Sequence, residues 1–277
     1  MTRATLAEVL GPARAEGYAI AGLVCLGWED ARAYVAAAEA EGLPVILQAG
    51  PSARAHTPLS VWGAMFTALS EGASVPVVSH LDHGASAEEC RAALECGFTS
   101  VMFDGSRLPL AENIARTAEV AALAHAAGAS CEGEIGFVGY AGGAASDGTD
   151  PADAARFAAE TGVDAMAVSV GNVHLQRNAG AALDEERIAA IAALTDVPLV
   201  IHGGSGVPAA QRTALARGTT ICKFNIGTEL RQAFGTALRA ALAADPDGFD
   251  RVGILSAVEA PLTAQARKVI AEIGPAR

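Results

Sequence analysis

Lysine and positive charge are scarce in this sequence. Lysine occurs only at Lys223 and Lys268, and 19 Lys and Arg residues face 31 Asp and Glu residues, so the formal net charge is −12 at pH 7. An acidic surface repels the phosphate backbone of nucleic acids, and we therefore expect no nucleic-acid partner. An anionic substrate would need a local positive element, such as a helix N-terminus or a metal ion.

Long apolar runs and paired cysteines are also missing. No run approaches the roughly 18–20 apolar residues that a membrane span needs. The N-terminal stretch MTRATLAEVLGPARAEG has the spacing of an amphipathic helix and lacks the apolar segment and cleavage site of a signal peptide. The five cysteines form no CxxC pair, which is typical of buried thiols in a reducing compartment. We therefore expect a cytoplasmic protein without a membrane partner.

Eight short apolar runs alternate with alanine-rich segments of helical period. The runs are YAIAGLVCL, PVILQ, VPVVSHL, TSVMF, GASCEGEI, AMAVSV, PLVIH and TTICKFN. Apolar runs that do not alternate with polar residues are typical of strands buried on both faces of a parallel sheet. Eight β–α units in about 250 residues predict an α/β protein with a (β/α)8 TIM barrel. A doubly wound open sheet is the second choice, because no GxGxxG follows the first run.

The chain shows no linker or low-complexity tract. We therefore predict a single catalytic domain over residues 1–277, with an N-terminal helix and a C-terminal helical tail. Ser86 and Glu89 predict a capping box at the start of one helix. The main predicted helices are Glu29–Gly42, Ala87–Cys96, Leu110–Ala127, Asp150–Thr161, Asp184–Leu194 and Ala209–Arg217.

Polar residues gather where the predicted strands end. They are Asp82, His83, Asp104, Glu132, Glu134, His174, His202 and Asn225. In (β/α)8 barrels the chemistry lies at the C-terminal ends of the strands, so this grouping predicts an active site on one rim. His56 and His125, which we assign to a loop and to a helix interior, are not implicated.

Three of these residues predict a metal centre. His83, His174 and His202 come from different strands, and three neutral imidazoles with an open fourth position form a catalytic zinc site. Each histidine taken alone could instead be a polar residue at a strand end. Asp82 would act as an acid or base toward a substrate hydroxyl, or would alternatively orient a histidine. His80 is assigned a supporting role inside the barrel.

The segment HGGSGVP after the seventh run predicts an anion site. Backbone N–H groups of such a loop, leading into a helix, bind phosphate in many barrels. A simple tight turn is the alternative reading of the glycines. The residues expected to hold the anion are Gly203, Gly204, Ser205, Gly206, Asn225 and Thr228.

The segments HLDHG, SVMFDGS, EGEIG, GNVH, PLVIHGGSGVP and KFNIGTELR, in this order, resemble the class II zinc-dependent ketose-bisphosphate aldolases, which include fructose- and tagatose-bisphosphate aldolases. The resemblance covers nearly the whole chain. It implies that the three histidines bind zinc. It also implies that Asp104 and Glu134 are ligands of an alternative or second metal position. It implies Asp82 as the acid–base residue at the C4 hydroxyl of the sugar.

The resemblance also implies a ligand set and an assembly. The glycine loop with Asn225 and Thr228 would hold the phosphate of dihydroxyacetone phosphate, beside a monovalent cation. The protein would form a homodimer or homotetramer and act on a sugar phosphate in carbohydrate metabolism.

Departures from the family pattern concentrate around the far end of the substrate. Val24 and Leu26 replace asparagines, and Gly50 stands near an expected serine. These positions belong to the region that holds the second phosphate, so their loss favours another substrate. Arg54 or Arg177 is a candidate to contact this end of the substrate in place of the missing residues.

Other departures concern the loops. Leu175 stands where the family has glycine, and Gly227 replaces the aspartate of fructose-specific members. The segment GYAGGAASDG lacks the glutamate of the family's mobile loop, for which Asp147 is the candidate substitute.

We therefore predict a metal-dependent aldolase, an aldehyde-lyase of class EC 4.1.2. Dihydroxyacetone phosphate or a close analogue would be its ketone half, and its aldehyde half would differ from glyceraldehyde 3-phosphate. The alternatives are a non-catalytic sugar-phosphate-binding homologue and a Schiff-base aldolase that uses Lys223.

Overall fold

Eight parallel strands close into a barrel in the computed structural model, which describes residues 2–178 and 180–276. The strands are β2 (Ile20–Val24), β3 (Val45–Ala49), β4 (Val77–Gly84), β5 (Ser100–Phe103), β6 (Ser130–Ile135), β7 (Ala165–Val168), β8 (Leu199–Ile201) and β9 (Ile221–Ile226). The sheet order is β4-β3-β2-β9-β8-β7-β6-β5, and pairing between β4 and β5 closes it. The predicted (β/α)8 barrel is confirmed.

The N-terminal segment closes the bottom of the barrel. Strand β1 (Arg3–Ala4) pairs with the start of β4, and helix α1 (Leu6–Glu16) begins with a capping box between Thr5 and Glu8. The apolar face of α1 belongs to the same buried cluster as the lower interior residues of the strands. Because this end is filled, the opposite end of the barrel is the one open to ligands.

Helices surround the barrel. They are α2 (Trp28–Glu41), α3 (Pro51–His56), α4 (Leu59–Gly72), α5 (Ala87–Glu95), α6 (Leu110–Ala126), α7 (Pro151–Thr161), α8 (Glu185–Ala192), α9 (Ala209–Gly218), α10 (Thr228–Ala244), α11 (Arg251–Ser256) and α12 (Glu259–Ile273). The last helix packs against α2 and α10, so the C-terminal segment covers the seam between the first and last units. Among the described helices, none combines the length and apolar composition that a transmembrane span requires.

The observed helices lie close to those predicted from the sequence, and two local details differ from the prediction. Ser86 accepts the N–H of Glu89 as expected, but the Glu89 carboxylate accepts the N–H of Ala85 and an arginine, so the capping box is only half formed. His56 ends α3 and is not in a loop. The predicted domain range includes residues 1, 179 and 277, which lie outside the described residues.

Candidate active site

A cavity of about 370 Å³ opens at the C-terminal ends of the strands. The polar residues that the sequence singled out converge here from across the barrel. Those that line it are Asp82, His83, His174, Gly203, Ser205, Asn225 and Thr228. His202 lies just beneath them and is fully buried.

The three predicted metal ligands form one cluster. Ligand atoms of His83, His174 and His202 all lie within 4.8 Å of one another. His83 is in β4, His202 directly follows β8, and His174 is in the loop after β7. Asn172 fixes that loop, because its amide donates to the carbonyl oxygen of His202. This asparagine was not predicted to have a role, although it belongs to the GNVH segment.

Two buried glutamates surround His202. Its Nε2 lies 3.0 Å from Oε1 of Glu132, and its Nδ1 lies 3.1 Å from Oε2 of Glu134. Burial lowers the pKa of His202, but these carboxylates outweigh burial and raise it to about 10. The Nδ1 and Oε2 atoms facing each other are buried without a hydrogen bond of acceptable geometry. The raised pKa shows that this site favours a positive charge, and a metal ion bound to the neutral imidazole and the Glu134 carboxylate would supply one in place of the proton.

A polar layer supports the cluster from inside the barrel. Glu132 accepts a 2.6 Å hydrogen bond from Nζ of Lys223, and all three of Glu132, Lys223 and His202 are fully buried. His80, also fully buried, contacts Oγ of Ser100 at 2.8 Å and lies 3.7 Å from Glu132. Burial first, then the charge of Lys223, lower the pKa of His80 to about 3. His80 therefore sits where a supporting residue would.

Asp104 and Glu134 approach the same cluster from β5 and β6. Asp104 Oδ2 lies 2.7 Å from Nδ1 of His83, and Ser106 donates to its other oxygen. Burial opposes ionisation of Asp104, but the contact with His83 outweighs it, and the pKa is well below its usual range. A carboxylate on one imidazole nitrogen fixes which nitrogen can face a metal. Together with His83, these two carboxylates also form a second group of possible ligands.

Asp82 faces the cavity next to Asn225. The Asn225 amide donates to Oδ1 of Asp82 at 3.2 Å, and Nε2 of His83 lies 4.0 Å from the same oxygen. Burial raises the pKa of Asp82, but the neighbouring His83, His202 and Lys223 charges outweigh it, and the pKa is lowered. Asp82 is therefore a carboxylate, as a general base must be at the start of a reaction.

Arg54 holds the backbone that carries Asp82 and His83. Its guanidinium donates to the carbonyl oxygens of both residues at 2.6 and 2.9 Å and pairs with Glu89. His83 has a positive φ of 53°, an uncommon conformation that the surrounding contacts must maintain. The suggestion that Arg54 contacts the substrate is therefore wrong, because its donors are used within the fold.

The glycine loop (His202–Pro208) forms one wall of the cavity. Gly203 has φ 65°, and a Cβ there would lie 2.3 Å from the carbonyl oxygen of Val173, so only glycine fits. Gly204 and Gly206 are buried behind it and shape the loop. The Ser205 hydroxyl accepts the N–H of Gly227 and leaves its own hydrogen free to donate toward the cavity.

Comparisons with known proteins agree with this geometry. The family model described as "Fructose-bisphosphate aldolase class-II" matches residues 4–276. The chain belongs to the class II fructose-bisphosphate aldolase family. As a member it is an aldolase, and thus a lyase. Class II aldolases are generally zinc-dependent, and the histidine and carboxylate groups described above are suitable ligands.

Several relatives illustrate the range of the family. The chain is 39% identical to a 6-phospho-5-dehydro-2-deoxy-D-gluconate aldolase of Shouchella clausii (strain KSM-K16), over 98% of this chain and 94% of that protein. It is 36% identical to a fructose-bisphosphate aldolase of Geobacillus stearothermophilus, over 90% and 89% of the two chains. The YdjI aldolase of Escherichia coli K12 has a similar structure, with a TM-score of 0.86 and 31% identity over 99% and 98% of the chains.

The departures from the class II aldolase pattern meet on one side of the cavity. Val24 and Gly227 face each other, and a Cβ at Gly227 would lie 3.2 Å from Cγ2 of Val24. Gly50, Pro51 and Ser52 complete this side, so a serine does line the cavity two residues beyond the expected position. Ser52 was not predicted.

Loop residues differ from their predicted roles. Leu175 adopts φ 59°, a conformation in which glycine costs least, and half of its surface is exposed at the cavity mouth. Asp147 is exposed, its backbone pairs with Phe137, and it does not line the cavity. Tyr140 does line it and stacks on His174 with ring centroids 4.9 Å apart. Arg177 lies outside this cavity, whereas Arg231 lines it and was not predicted.

Proposed function

We propose that this class II aldolase cleaves or forms the C3–C4 bond of a ketose phosphate, with dihydroxyacetone phosphate or a close analogue as the ketone half. The aldehyde half differs from glyceraldehyde 3-phosphate. The observation that carries the proposal is the meeting of three features in one cavity: the three-histidine cluster, the Asp82 carboxylate and the glycine loop.

Zinc is the proposed resident metal, held by His83, His174 and His202. Nδ1 of His202 and Oε2 of Glu134, buried 3.1 Å apart without a hydrogen bond of acceptable geometry, support this assignment. When bound, the ion would polarise the ketose carbonyl. Glu134 and Asp104 would offer a second or alternative position, and a monovalent cation would bind near the phosphate.

The chain's own residues supply the proton chemistry and the positioning. Asp82 takes the proton of the C4 hydroxyl, and Asn225 holds the Asp82 carboxylate in place through its amide. As the C3–C4 bond breaks, the C4 oxygen becomes the aldehyde carbonyl, and the bonding electron pair stays with C3, which then takes up a proton. Gly203, Ser205 and Thr228 bind the phosphate of the ketone half, with the buried Gly204 and Gly206 shaping their loop.

The side of the cavity that departs from the family pattern is the basis for proposing the chemical class of the aldehyde half. Val24, Gly50 and Gly227 add no polar side chain to this side, and Ser52 and Arg231 line it as well. One serine and one arginine suit a singly charged carboxylate better than a phosphate.

A 6-phospho-5-keto-2-deoxyhexonate, the substrate class that the Shouchella clausii relative's name contains, suits this side better. This compound is numbered from its carboxylate, so Asp82 would take the proton of its C3 hydroxyl, and the electron pair of the C3–C4 bond would stay with C4. The products would be dihydroxyacetone phosphate and 3-oxopropanoate (malonate semialdehyde).

Neither alternative activity has support from the geometry. Lys223 is fully buried, is paired with Glu132 and does not line the cavity, so it is poorly placed for a Schiff base. A non-catalytic binding protein would not need Asp82 beside the three-histidine cluster. We further propose a cytoplasmic homodimer or homotetramer, as the family resemblance implies.

The test is a cleavage assay on metal-depleted protein reloaded with zinc or cobalt. A panel of singly and doubly phosphorylated ketoses and ketohexonates is offered, and dihydroxyacetone phosphate release is measured. We expect release only after metal is restored. Stoichiometric zinc without release from any substrate would favour the non-catalytic alternative, and chelator-resistant release would contradict the metal assignment.

A further inference from the structure

His174 differs from the other two proposed zinc ligands in how its ring is held. Nδ1 of His83 lies 2.7 Å from Oδ2 of Asp104, and both ring nitrogens of His202 face carboxylates. In the part of the chain that the structure describes, neither ring nitrogen of His174 has a hydrogen-bond partner. A metal-binding histidine usually donates its second N–H to a carboxylate or a carbonyl oxygen, which fixes the orientation of the ring. The orientation of the His174 ring therefore depends on another kind of contact.

Tyr140 supplies that contact. Its ring stacks on the imidazole of His174, with the centroids 4.9 Å apart and the planes inclined by only 25°. The rings of His83 and His202 also lie beside His174, but at interplanar angles of 67° and 50°. A nearly parallel neighbour at this distance attracts the imidazole and opposes its rotation about the bond from Cβ. That rotation is the one that would turn a ligand nitrogen away from a metal ion.

Backbone hydrogen bonds hold Tyr140 beside His174 independently of the two rings. The N–H of His174 donates to the carbonyl oxygen of Gly139 at 2.8 Å, and the N–H of Ala141 donates to the carbonyl oxygen of His174 at 2.9 Å. The residues on both sides of Tyr140 are thus tied to the backbone of the proposed ligand. The stacking is therefore a consequence of how the loop after β6 is joined to the loop after β7.

Two further side chains extend the stack behind Tyr140. The ring of Phe137 lies 6.5 Å from that of Tyr140, and the guanidinium of Arg107 lies 3.9 Å from the centroid of Phe137. Phe137 is itself fixed, because its backbone exchanges two hydrogen bonds with that of Asp147. A cation over an aromatic face at this distance is an attractive contact. The stack thus runs from the loop after β5 to the metal cluster and ends on His174.

We propose that Tyr140 is a positioning residue for the zinc ligand His174, and that ring stacking replaces the hydrogen bonds that orient His83 and His202. This inference rests on the proposed zinc site and adds the residue that orients one of its three ligands. The Tyr140 hydroxyl has no hydrogen-bond partner among the described residues, so the ring itself makes the contact. Phenylalanine at this position should consequently serve as well as tyrosine.

The experiment measures the zinc affinity of metal-depleted protein by competition with a chromophoric chelator. The variants are Tyr140→Ala and Tyr140→Phe. Phe249→Ala is the matched control, because Phe249 is an aromatic residue that is 95% exposed and does not line the active-site cavity. The visible absorption spectrum of each cobalt-loaded protein is recorded as well, since it reports the geometry of the ligands around the metal.

We expect Tyr140→Ala to raise the Kd for zinc about 2- to 10-fold, as the loss of one aromatic pair should. Its cobalt spectrum should differ from that of the wild type, because the His174 ring is then free to turn. Tyr140→Phe and Phe249→Ala should both keep the zinc Kd and the cobalt spectrum of the wild type. Far-UV circular dichroism of the metal-free proteins shows whether each variant is folded. If Tyr140→Ala is not, Tyr140→Leu keeps apolar bulk without a ring and takes its place.

Three results would overturn the proposal. An unchanged zinc Kd and cobalt spectrum in Tyr140→Ala would show that the stacking does not orient His174. An equal loss in Tyr140→Phe would assign the effect to the hydroxyl. An equal loss in Phe249→Ala would show that removing any aromatic side chain weakens the site. Failure of the wild type to bind zinc stoichiometrically is a separate result, which would refute the proposed metal site and this inference with it.

Discussion

The two sides of the active-site cavity are built differently. The proposed ketone side comprises the three-histidine cluster and the glycine loop, where polar atoms are buried, fixed by neighbours and arranged as in the class II aldolase pattern. The proposed aldehyde side comprises Val24, Gly50–Ser52 and Arg231, where the pattern is lost and Nε of Arg231 is buried without a hydrogen bond. The comparison suggests that the chain conserves the reaction and has changed the substrate. If so, substitutions on one side should leave the role of the other side intact.

The largest expected effect is on the ketone side. His174→Ala removes one of three metal ligands, so we expect loss of bound zinc and loss of cleavage activity, both measured on the same purified sample. His125→Ala is the control, because His125 is partly exposed and contacts only Asp164 outside the site. Unchanged zinc content in His174→Ala would refute the ligand assignment.

The next effect separates proton transfer from metal binding. Asp82→Asn keeps the shape of the side chain and removes its basicity, so kcat should fall by about 10²- to 10⁴-fold while zinc content stays the same. Both are measured against the wild type by steady-state kinetics and metal analysis. A variant that loses zinc as well would show that Asp82 acts on the metal site rather than on the substrate.

A third prediction compares two arginines through stability. Arg54 is 6% exposed and pairs with Glu89, so Arg54→Met should lower the free energy of unfolding by about 3–5 kcal/mol. Arg231→Met breaks no hydrogen bond or close ion pair that the structure describes and removes only a longer-range attraction to Asp30, so it should change the free energy of unfolding by about 1 kcal/mol or less. Denaturant unfolding of both variants gives the comparison. Equal losses would mean that Arg231 is also a structural residue.

The smallest expected effect concerns the contact between Val24 and Gly227. Gly227→Ala places a methyl group 3.2 Å from Val24, which should cost about 1 kcal/mol in unfolding free energy. The same substitution in a Val24→Ala background should cost less, because the space is then available. A double-mutant cycle on unfolding measures this coupling, and strictly additive costs would show that the two residues do not share the space.

Much of the fold was predictable from local patterns. The eight apolar runs each became a strand, since uninterrupted apolar residues must be buried on both faces of a sheet. The short strand β1 was not predicted, because two residues have no readable period and depend on pairing with Val77 and Val78.

The candidate site was predictable where chemistry is concentrated in short segments. His83 and the glycine loop carry strong local signals and converge as expected. Arg231, Tyr140 and the pairing of Lys223 with Glu132 were not anticipated. Their partners or cavities come from distant parts of the chain, and a sequence does not show which way an arginine or tyrosine side chain points. Arg54 shows the same limit. An arginine is suited to binding an anionic substrate, but the position of Arg54 in the fold makes it a support for the backbone at Asp82.

One measurement tests most directly whether the ketone side is kept and the aldehyde side is changed. It is the kcat/KM of the zinc-loaded enzyme for a 6-phospho-5-keto-2-deoxyhexonate and for fructose 1,6-bisphosphate, followed by dihydroxyacetone phosphate release. We expect the hexonate to be preferred by at least about tenfold, a difference of roughly 1.4 kcal/mol in transition-state binding. A preference for fructose 1,6-bisphosphate would contradict the changed aldehyde side.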